Sequence, residues 1–212
     1  MTKRTRDLFI TFEGTEGSGK STLIRHLKEA LTKLGYSVCV TREPGGPIVA
    51  EEIRALILKD FKTDQMHSMT ELFLYEAARA EHLEKVIRPA LKKGQVVLCD
   101  RFTDSTFAYQ GVARGVDLKL IDKLNAIATG GLKPTVTVLL DLDPKEGLKR
   151  ASDPNRFELE GIKFHQKVRN GFIKAAKRDQ KRFLVLSVLK KTPEELCSQV
   201  IAHLKKRKYV SN

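Results

Sequence analysis

Leu8-Phe9-Ile10-Thr11-Phe12-Glu13-Gly14-Thr15-Glu16-Gly17-Ser18-Gly19-Lys20-Ser21-Thr22 reads as a buried strand, then G-x-x-x-x-G-K-S, then the start of a helix. That order decides the fold. Gly14, Gly17 and Gly19 allow backbone angles and close approaches that a Cβ forbids, so successive N–H groups can converge on phosphate oxygens. The helix opening near Lys20 adds the positive end of its dipole. In this pattern Lys20 reaches the β- and γ-phosphates and the Ser21 hydroxyl is placed to ligate Mg²⁺. The expected triphosphate cradle is Gly14, Thr15, Glu16, Gly17, Ser18, Gly19, Lys20, Ser21 and Thr22.

Working outward, 212 residues with 41% apolar content suffice for one substantial core, so residues 1–212 are expected to form a single domain. The P-loop sits near the start of the sequence, and no domain is expected before it. Residues 1–7 are basic and polar with no signal-peptide core, and no apolar run reaches membrane-spanning length. A soluble, cytoplasmic protein without a membrane partner is expected. Cys39, Cys99 and Cys197 lack metal-ligand spacing, and the first two fall inside strand patterns as small buried thiols. His26, His82 and His203 fall on helical patterns and read as solvated or packing residues.

The net charge is +13, and residues 145–191 hold 14 Lys and Arg against five Asp and Glu. Part of that excess can focus field on polyanionic substrates meeting in one cleft. Nucleic acid is a weaker reading, because no basic stripe is interleaved with aromatics and Trp is absent. Lys205-Lys206-Arg207-Lys208 reads as a solvated helix end.

Apolar strands at 8–12, 37–41, 95–99, 135–142 and 182–187 alternate with helical patterns at 20–34, 47–59, 68–93, 105–113, 117–129, about 144–151, a stretch ending near 180, and from 193. Gly35 and Gly94 close helices. Ser68-Met69-Thr70-Glu71 and Thr192-Pro193-Glu194-Glu195 read as capping boxes. The pattern is α/β, a five-stranded parallel sheet with helices on both faces. Ligands in such sheets lie at the carboxyl ends of strands, where Arg42-Glu43 and Asp100-Arg101 also fall. Asp100 beside a P-loop is a metal-holding position, with Ser21 as its companion. Arg101 can clamp the phosphate of an acceptor with its two-pronged guanidinium. Arginines from two strand ends point to a kinase acting on a phosphorylated acceptor.

These residues carry a resemblance. Phe12–Ser21, Thr41-Arg42-Glu43-Pro44-Gly45-Gly46, Glu51-Glu52-Ile53-Arg54, Tyr75-Glu76-Ala77-Ala78-Arg79 and Asp100-Arg101-Phe102-Thr103-Asp104-Ser105-Thr106-Phe107-Ala108-Tyr109-Gln110-Gly111 resemble bacterial thymidylate kinases, in order and over nearly the whole chain. The resemblance implies a P-loop fold of the nucleoside monophosphate kinase type. It also implies Mg²⁺-dependent transfer of the γ-phosphoryl of ATP to dTMP, giving dTDP and ADP for dTTP synthesis, by a homodimer. Carried over residue by residue, Tyr75 stacks on thymine and Arg79 bonds its O4; their i, i+4 spacing puts them on one helix face. The resemblance places Tyr109 against the sugar, where a 2′-hydroxyl has no room, and Ser105 and Gln110 around the base. Arg42 and Arg101 hold the acceptor phosphate beside Glu43 and Pro44, with support from Arg54. Glu16 resembles the loop carboxylate near the sugar 3′-hydroxyl and metal.

The P-loop interior has no Arg, and the resemblance places the cation facing the transferred phosphoryl in Lys149-Arg150-Ala151-Ser152-Asp153-Pro154-Asn155-Arg156-Phe157-Glu158, where bacterial thymidylate kinases carry an arginine-bearing lid, here at about 149–160. Arg150 and Arg156 are the candidates, completing a catalytic set with Lys20, Arg101 and Glu16. Two alternatives stay open. One is a kinase of the same fold with another acceptor, a deoxynucleotide or deoxynucleoside. The other is a non-catalytic nucleotide-binding or nucleic-acid-associated P-loop protein.

Overall fold

The computed structural model describes residues 3, 7–150, 156–157 and 159–211. Residues 1–2, 4–6, 151–155, 158 and 212 lie outside it, and with them most of the basic N-terminal stretch and the centre of the expected lid.

Five strands, β1 (Phe9–Glu13), β2 (Val38–Arg42), β3 (Val96–Asp100), β4 (Val136–Asp141) and β5 (Phe183–Ser187), form one parallel sheet in the order β2-β3-β1-β4-β5. Phe12 is opposite Asp100 on one side of β1 and Val138 on the other. Chain connections leave β1 towards β2 and return past it to β4, so the crevice of this sheet opens at the carboxyl ends of β1 and β3. The expected strands are all present, with no limit shifted by more than one residue. Their carboxyl-end polar residues take up the last strand positions.

Alternation along the central strands sets the two faces. Ile10 and Phe12, with Val96 and Leu98, pack under α1 (Lys20–Lys33) and α9 (Pro193–Lys206). Phe9, Val97 and Cys99 face the opposite layer. In β1 that opposite face continues into Thr11 and Glu13, both fully buried, so the central strand carries a polar stripe into the core. Helix α1 ends where Gly35 takes a φ of +89°, and α9 opens on the complete Thr192–Glu195 capping box.

The opposite layer holds α2 (Ile48–Leu58), α3 (Ser68–His82), α4 (Arg88–Lys92), α5 (Thr103–Thr106), α6 (Leu118–Thr129), α7 (Pro144–Leu148) and α8 (Ile162–Arg178). Two features depart from the sequence expectation. The long helix at 68–93 is not uniform: α3 passes into α4 through a widened π-helical turn, Leu83–Ile87. Pro89 has no N–H to return to the preceding turn, and inserting one residue into the helix relieves the conflict. The Ser68–Glu71 capping box does not form. His67 caps α3 by accepting from the Met69 N–H, and Glu71 turns into the core. A second widened turn, Phe107–Ala113, follows α5, and α8 packs on it so closely that a Cβ on Gly171 would lie 2.8 Å from the Ala108 Cα.

The charge excess of 145–191 sits largely on the solvent face of α8, where Lys163, Lys167, Lys174 and Lys177 are exposed. It is therefore mostly a solvated helix face and not a lining of the cleft. Lys206, Arg207 and Lys208 are exposed at the end of α9, as expected.

Candidate active site

Two cavities meet at the P-loop. One of about 320 Å³ is lined by Glu16, Lys20, Ser21, Arg42, Glu43, Pro44, Arg54, Tyr75, Arg79, Asp100, Arg101, Ser105, Tyr109, Gln110 and Phe157. The other, of about 530 Å³, runs along Gly17 to Leu23 and on to Arg150, Lys191 and Pro193. Gly17, Lys20 and Ser21 belong to both.

The loop is wound for anion capture. Gly14 has a φ of +146°, and a Cβ there would lie 2.5 Å from the Leu140 carbonyl. Lys20 is buried, its Nζ donating to the Gly14 and Thr15 carbonyls, each at 3.2 Å, and to Ser18 Oγ at 3.4 Å. Burial, with Arg101 nearby, pulls its pKa down. The Ser21 hydroxyl donates to Asp100 Oδ2 at 3.1 Å, while buried Asp100 Oδ1 has no partner among the described residues. A lone carboxylate oxygen beside a serine hydroxyl is a hard-oxygen donor pair suited to Mg²⁺. Among the described residues no cluster of three His, Cys, Asp or Glu side chains forms a metal cage. Mg²⁺ held by few protein ligands beside a phosphate site needs none.

Asp100 and Arg101 do not pair with each other. Arg101 sits in left-handed backbone, φ +69°, a conformation that non-glycine residues hold only when their surroundings enforce it. Its N–H donates to the Phe12 carbonyl and the next N–H, of Phe102, donates to Glu13 Oε1 at 2.8 Å. The guanidinium then points into the cavity, with Nη1 on the Gly14 carbonyl and Ser105 Oγ and Nη2 on Glu16 Oε1 at 2.9 Å.

Glu13 was not a candidate from sequence. Ser105 donates to its Oε2 at 2.6 Å, so Glu13 braces Arg101 from below through both Phe102 and Ser105. Burial, with Asp104 nearby, pushes its carboxyl up to about 8. Such a carboxyl binds a proton in the folded state between about pH 4.5 and 8 that the unfolded chain releases, so its stabilising contribution is full below that window and lost as pH rises through it. The wild type is therefore expected to lose stability relative to Glu13→Gln as pH rises from 5 to 9, read by urea melts at each pH. A constant difference across that range would rule the coupling out.

Glu16 is the hub of the first cavity. Tyr109 donates to Oε1 at 2.7 Å and to Oε2 at 2.8 Å, and the Arg101 guanidinium stacks over the Tyr109 ring at 5.2 Å. Burial alone would raise the Glu16 pKa, but Arg101, with Lys20 and Tyr109, holds it far below the usual carboxylate range.

Tyr75 and Arg79 share one face of α3 and both line the first cavity, as their spacing requires. Arg79 is buried. Its Nε donates to Glu43 Oε2 at 2.8 Å and Nη1 to Asn125, while Nη1 also pairs ionically with Glu76 at 3.0 Å. Although burial works against the charge, Glu43 and Glu76 raise its pKa. Glu43 is aligned in turn by His82 and sits before a cis peptide to Pro44. His82 is therefore a fully buried anchor, also bonded to Thr41, and not a solvated helix residue. The Tyr75 hydroxyl has no hydrogen-bond partner among the described residues. Arg42 is gripped by Glu51 at 2.9 Å on both oxygens, and Arg54 donates to the Pro44 carbonyl, at the cavity mouth. Gln110 lines the cavity while donating to Glu71 Oε1.

The two lid candidates separate. Arg150 lines the second cavity and its Nη1 lies 3.4 Å from the Gly17 carbonyl. Arg156 faces away, with its guanidinium on Glu71 at 2.8 Å and on the Ile57 carbonyl. Its neighbour Phe157 instead closes the cavity, edge-on to Tyr109. Helix α7 contacts the loop directly, a Cβ on Gly17 falling 2.1 Å from the Gly147 carbonyl. Neither Gly147 nor buried His165 carried a legible sequence signal.

A P-loop, an acidic strand tip beside its serine and an arginine-walled cavity sharing Lys20 with the loop define an ATP-dependent nucleotide kinase. Residues 12–200 match the family model for thymidylate kinase. Thymidylate kinase of Geotalea daltonii is 52% identical over 84% of this chain and 87% of its own length, and that of Geotalea uraniireducens 48% over 92% and 97%. The crystal structure of thymidylate kinase from Ehrlichia chaffeensis superposes with a TM-score of 0.77 at 36% identity, covering 94% of this chain and 98% of that one. The chain belongs to the thymidylate kinase family.

Proposed function

We propose that the protein transfers the γ-phosphoryl of ATP to dTMP, giving ADP and dTDP. The observation that carries this reading is the meeting of two cavities at Gly17, Lys20 and Ser21, one running along the phosphate loop and the other walled by arginines and an aromatic. ATP lies along the loop, its phosphates on the N–H groups of Gly14 to Thr22. The acceptor lies in the first cavity, with its base over Tyr75, O4 towards Arg79, deoxyribose against Tyr109 and phosphate on Arg101 and Arg42. A donor facing position 4 favours the carbonyl of thymine over the amino group of cytosine. Mg²⁺ bound through Ser21 and Asp100 would neutralise charge on the β- and γ-phosphates. Lys20, and Arg150 from the 149–160 lid, supply the protein's own cations to that charge. Arg101 and Glu16 align the acceptor.

No described helix is long and apolar enough to cross a membrane. The homodimer belongs to the same reading, supported by exposed Ile48, Val49, Leu56 and Phe73 on neighbouring α2 and α3. In a coupled ADP-release assay with ATP and Mg²⁺, turnover is expected with dTMP and more weakly with dUMP, but not with dCMP or thymidine. Turnover on thymidine would discard the acceptor-phosphate assignments, and no acceptor-dependent turnover would leave only nucleotide binding. Light scattering on the same sample should give twice 23.9 kDa; the monomer mass would remove the dimer.

A further inference from the structure

His165 is buried to 1% exposure on the inner face of α8, and neither of its ring nitrogens has a hydrogen-bond partner among the described residues. Orphaned polar groups at this depth are rare and cost stability, so one that persists needs a state in which it is satisfied. Glu16 lies beside it, with Nδ1 3.7 Å from Oε2. That is beyond hydrogen-bond range and within one small shift of it.

Here Glu16 already has two partners, Tyr109 on both oxygens and Arg101 on Oε1. The same Arg101 is the cation assigned above to the acceptor phosphate. An arginine drawn onto a phosphate dianion loosens its hold on a carboxylate, and Glu16, its side chain 13% exposed, then keeps Tyr109 as its hydrogen-bond donor with Lys20 as the nearby charge. A largely buried carboxylate that loses its paired cation is stabilised by another donor.

We propose that His165 is a positioning residue that takes over Glu16 when Arg101 turns to the acceptor, donating from Nδ1–H to Oε2 and holding the carboxylate in place through the transfer. The proposal rests on the reading of Arg101 as the acceptor-phosphate clamp. The exchange leaves Glu16 with one strong donor in each state, Arg101 in the free enzyme and His165 in the loaded one.

The test reads the His165 ring nitrogens directly in ¹⁵N-labelled protein, with His165→Asn for assignment. Adding dTMP is expected to bring Nδ1 and its proton to hydrogen-bonded positions and slow that proton's exchange. In Arg101→Ala the same signature is expected with no ligand, because Glu16 has already lost its arginine. A His165 signal unchanged in Arg101→Ala overturns the proposal. The signature in that variant, but no change on saturating the wild type with dTMP, supports the His165–Glu16 contact and removes Arg101 as the clamp.

Kinetics supply an arm that does not depend on Arg101→Ala folding. The Asn amide nitrogen falls near the place of Nδ1, so His165→Asn should keep kcat within about threefold, whereas His165→Leu should lose about tenfold in kcat with the KM for ATP unchanged. Equal losses in the two variants would reduce His165 to packing and overturn the proposal.

Discussion

Arg101→Ala is expected to lower kcat/KM for dTMP by about 10³-fold or more while leaving the KM for ATP within a few-fold. The size follows from what the residue combines. Its guanidinium is held in the cavity by a left-handed backbone that Phe12, Glu13 and Phe102 enforce, so little ordering entropy remains to be lost when a phosphate arrives. It also offers two N–H groups as a planar fork, and a lysine ammonium at the same place does not reproduce that geometry. Arg101→Lys should therefore recover no more than about a tenth of the loss. Steady-state kinetics with each substrate varied separately decide the matter. Unchanged dTMP kinetics in Arg101→Ala would take Arg101 out of the acceptor site.

Arg150→Ala and Arg156→Ala should fail in different ways. Arg150 stands beside the Gly17 carbonyl on the P-loop cavity, so its loss should reduce kcat roughly hundredfold or more with both KM values little changed, the signature of an interaction made in the transition state. Arg156 neutralises Glu71, a carboxylate only 1% exposed that also engages Gln110 and Arg114. Removing it should cost stability, about 1–3 kcal/mol in chemical unfolding, with kcat near wild type. A collapse of kcat in Arg156→Ala, with Arg150→Ala active, would transfer the catalytic role from the one to the other.

The legible parts of the chain were those in which one local segment encodes one local geometry. The P-loop is a contiguous run whose glycines and lysine state their own purpose, and the five strands stand out because both faces of a parallel sheet are apolar. Tyr75 and Arg79 could be put on one face because helical spacing is rigid. What stayed hidden depends on partners distant in sequence. Glu71 looked like half of a capping box, since Ser68 stands three residues before it. Gln110, Arg114 and Arg156 reach it from elsewhere and draw it inward instead. Glu13 read as one more motif residue, although Ser105 and the Phe102 N–H, 92 and 89 positions away, make it the brace of Arg101. His165 and Gly147 come to lie beside Glu16 and Gly17 from far along the chain, and nothing in their neighbourhoods marks them. Pro89 stands inside a pattern that reads as one helix, and the widened turn before it answers to its missing N–H.

That widened turn sets a rule for insertions and deletions. Upstream of it, Tyr75 and Arg79 face the acceptor cavity; downstream, Leu91 and Ala90 face the core. The two faces are in phase because the widened turn Leu83–Ile87 takes up one residue more than an α-helical turn would. Loss of a single codon between 83 and 87 would leave an ordinary α-helical turn with both halves still in phase, whereas the same loss in the regular part of the helix would rotate one half against the other by about 100°. Either the substrate-facing pair or the core anchors would then point the wrong way. A library of one-codon deletions along 68–92 should therefore show its mildest loss in this window, where no residue lines the cavity.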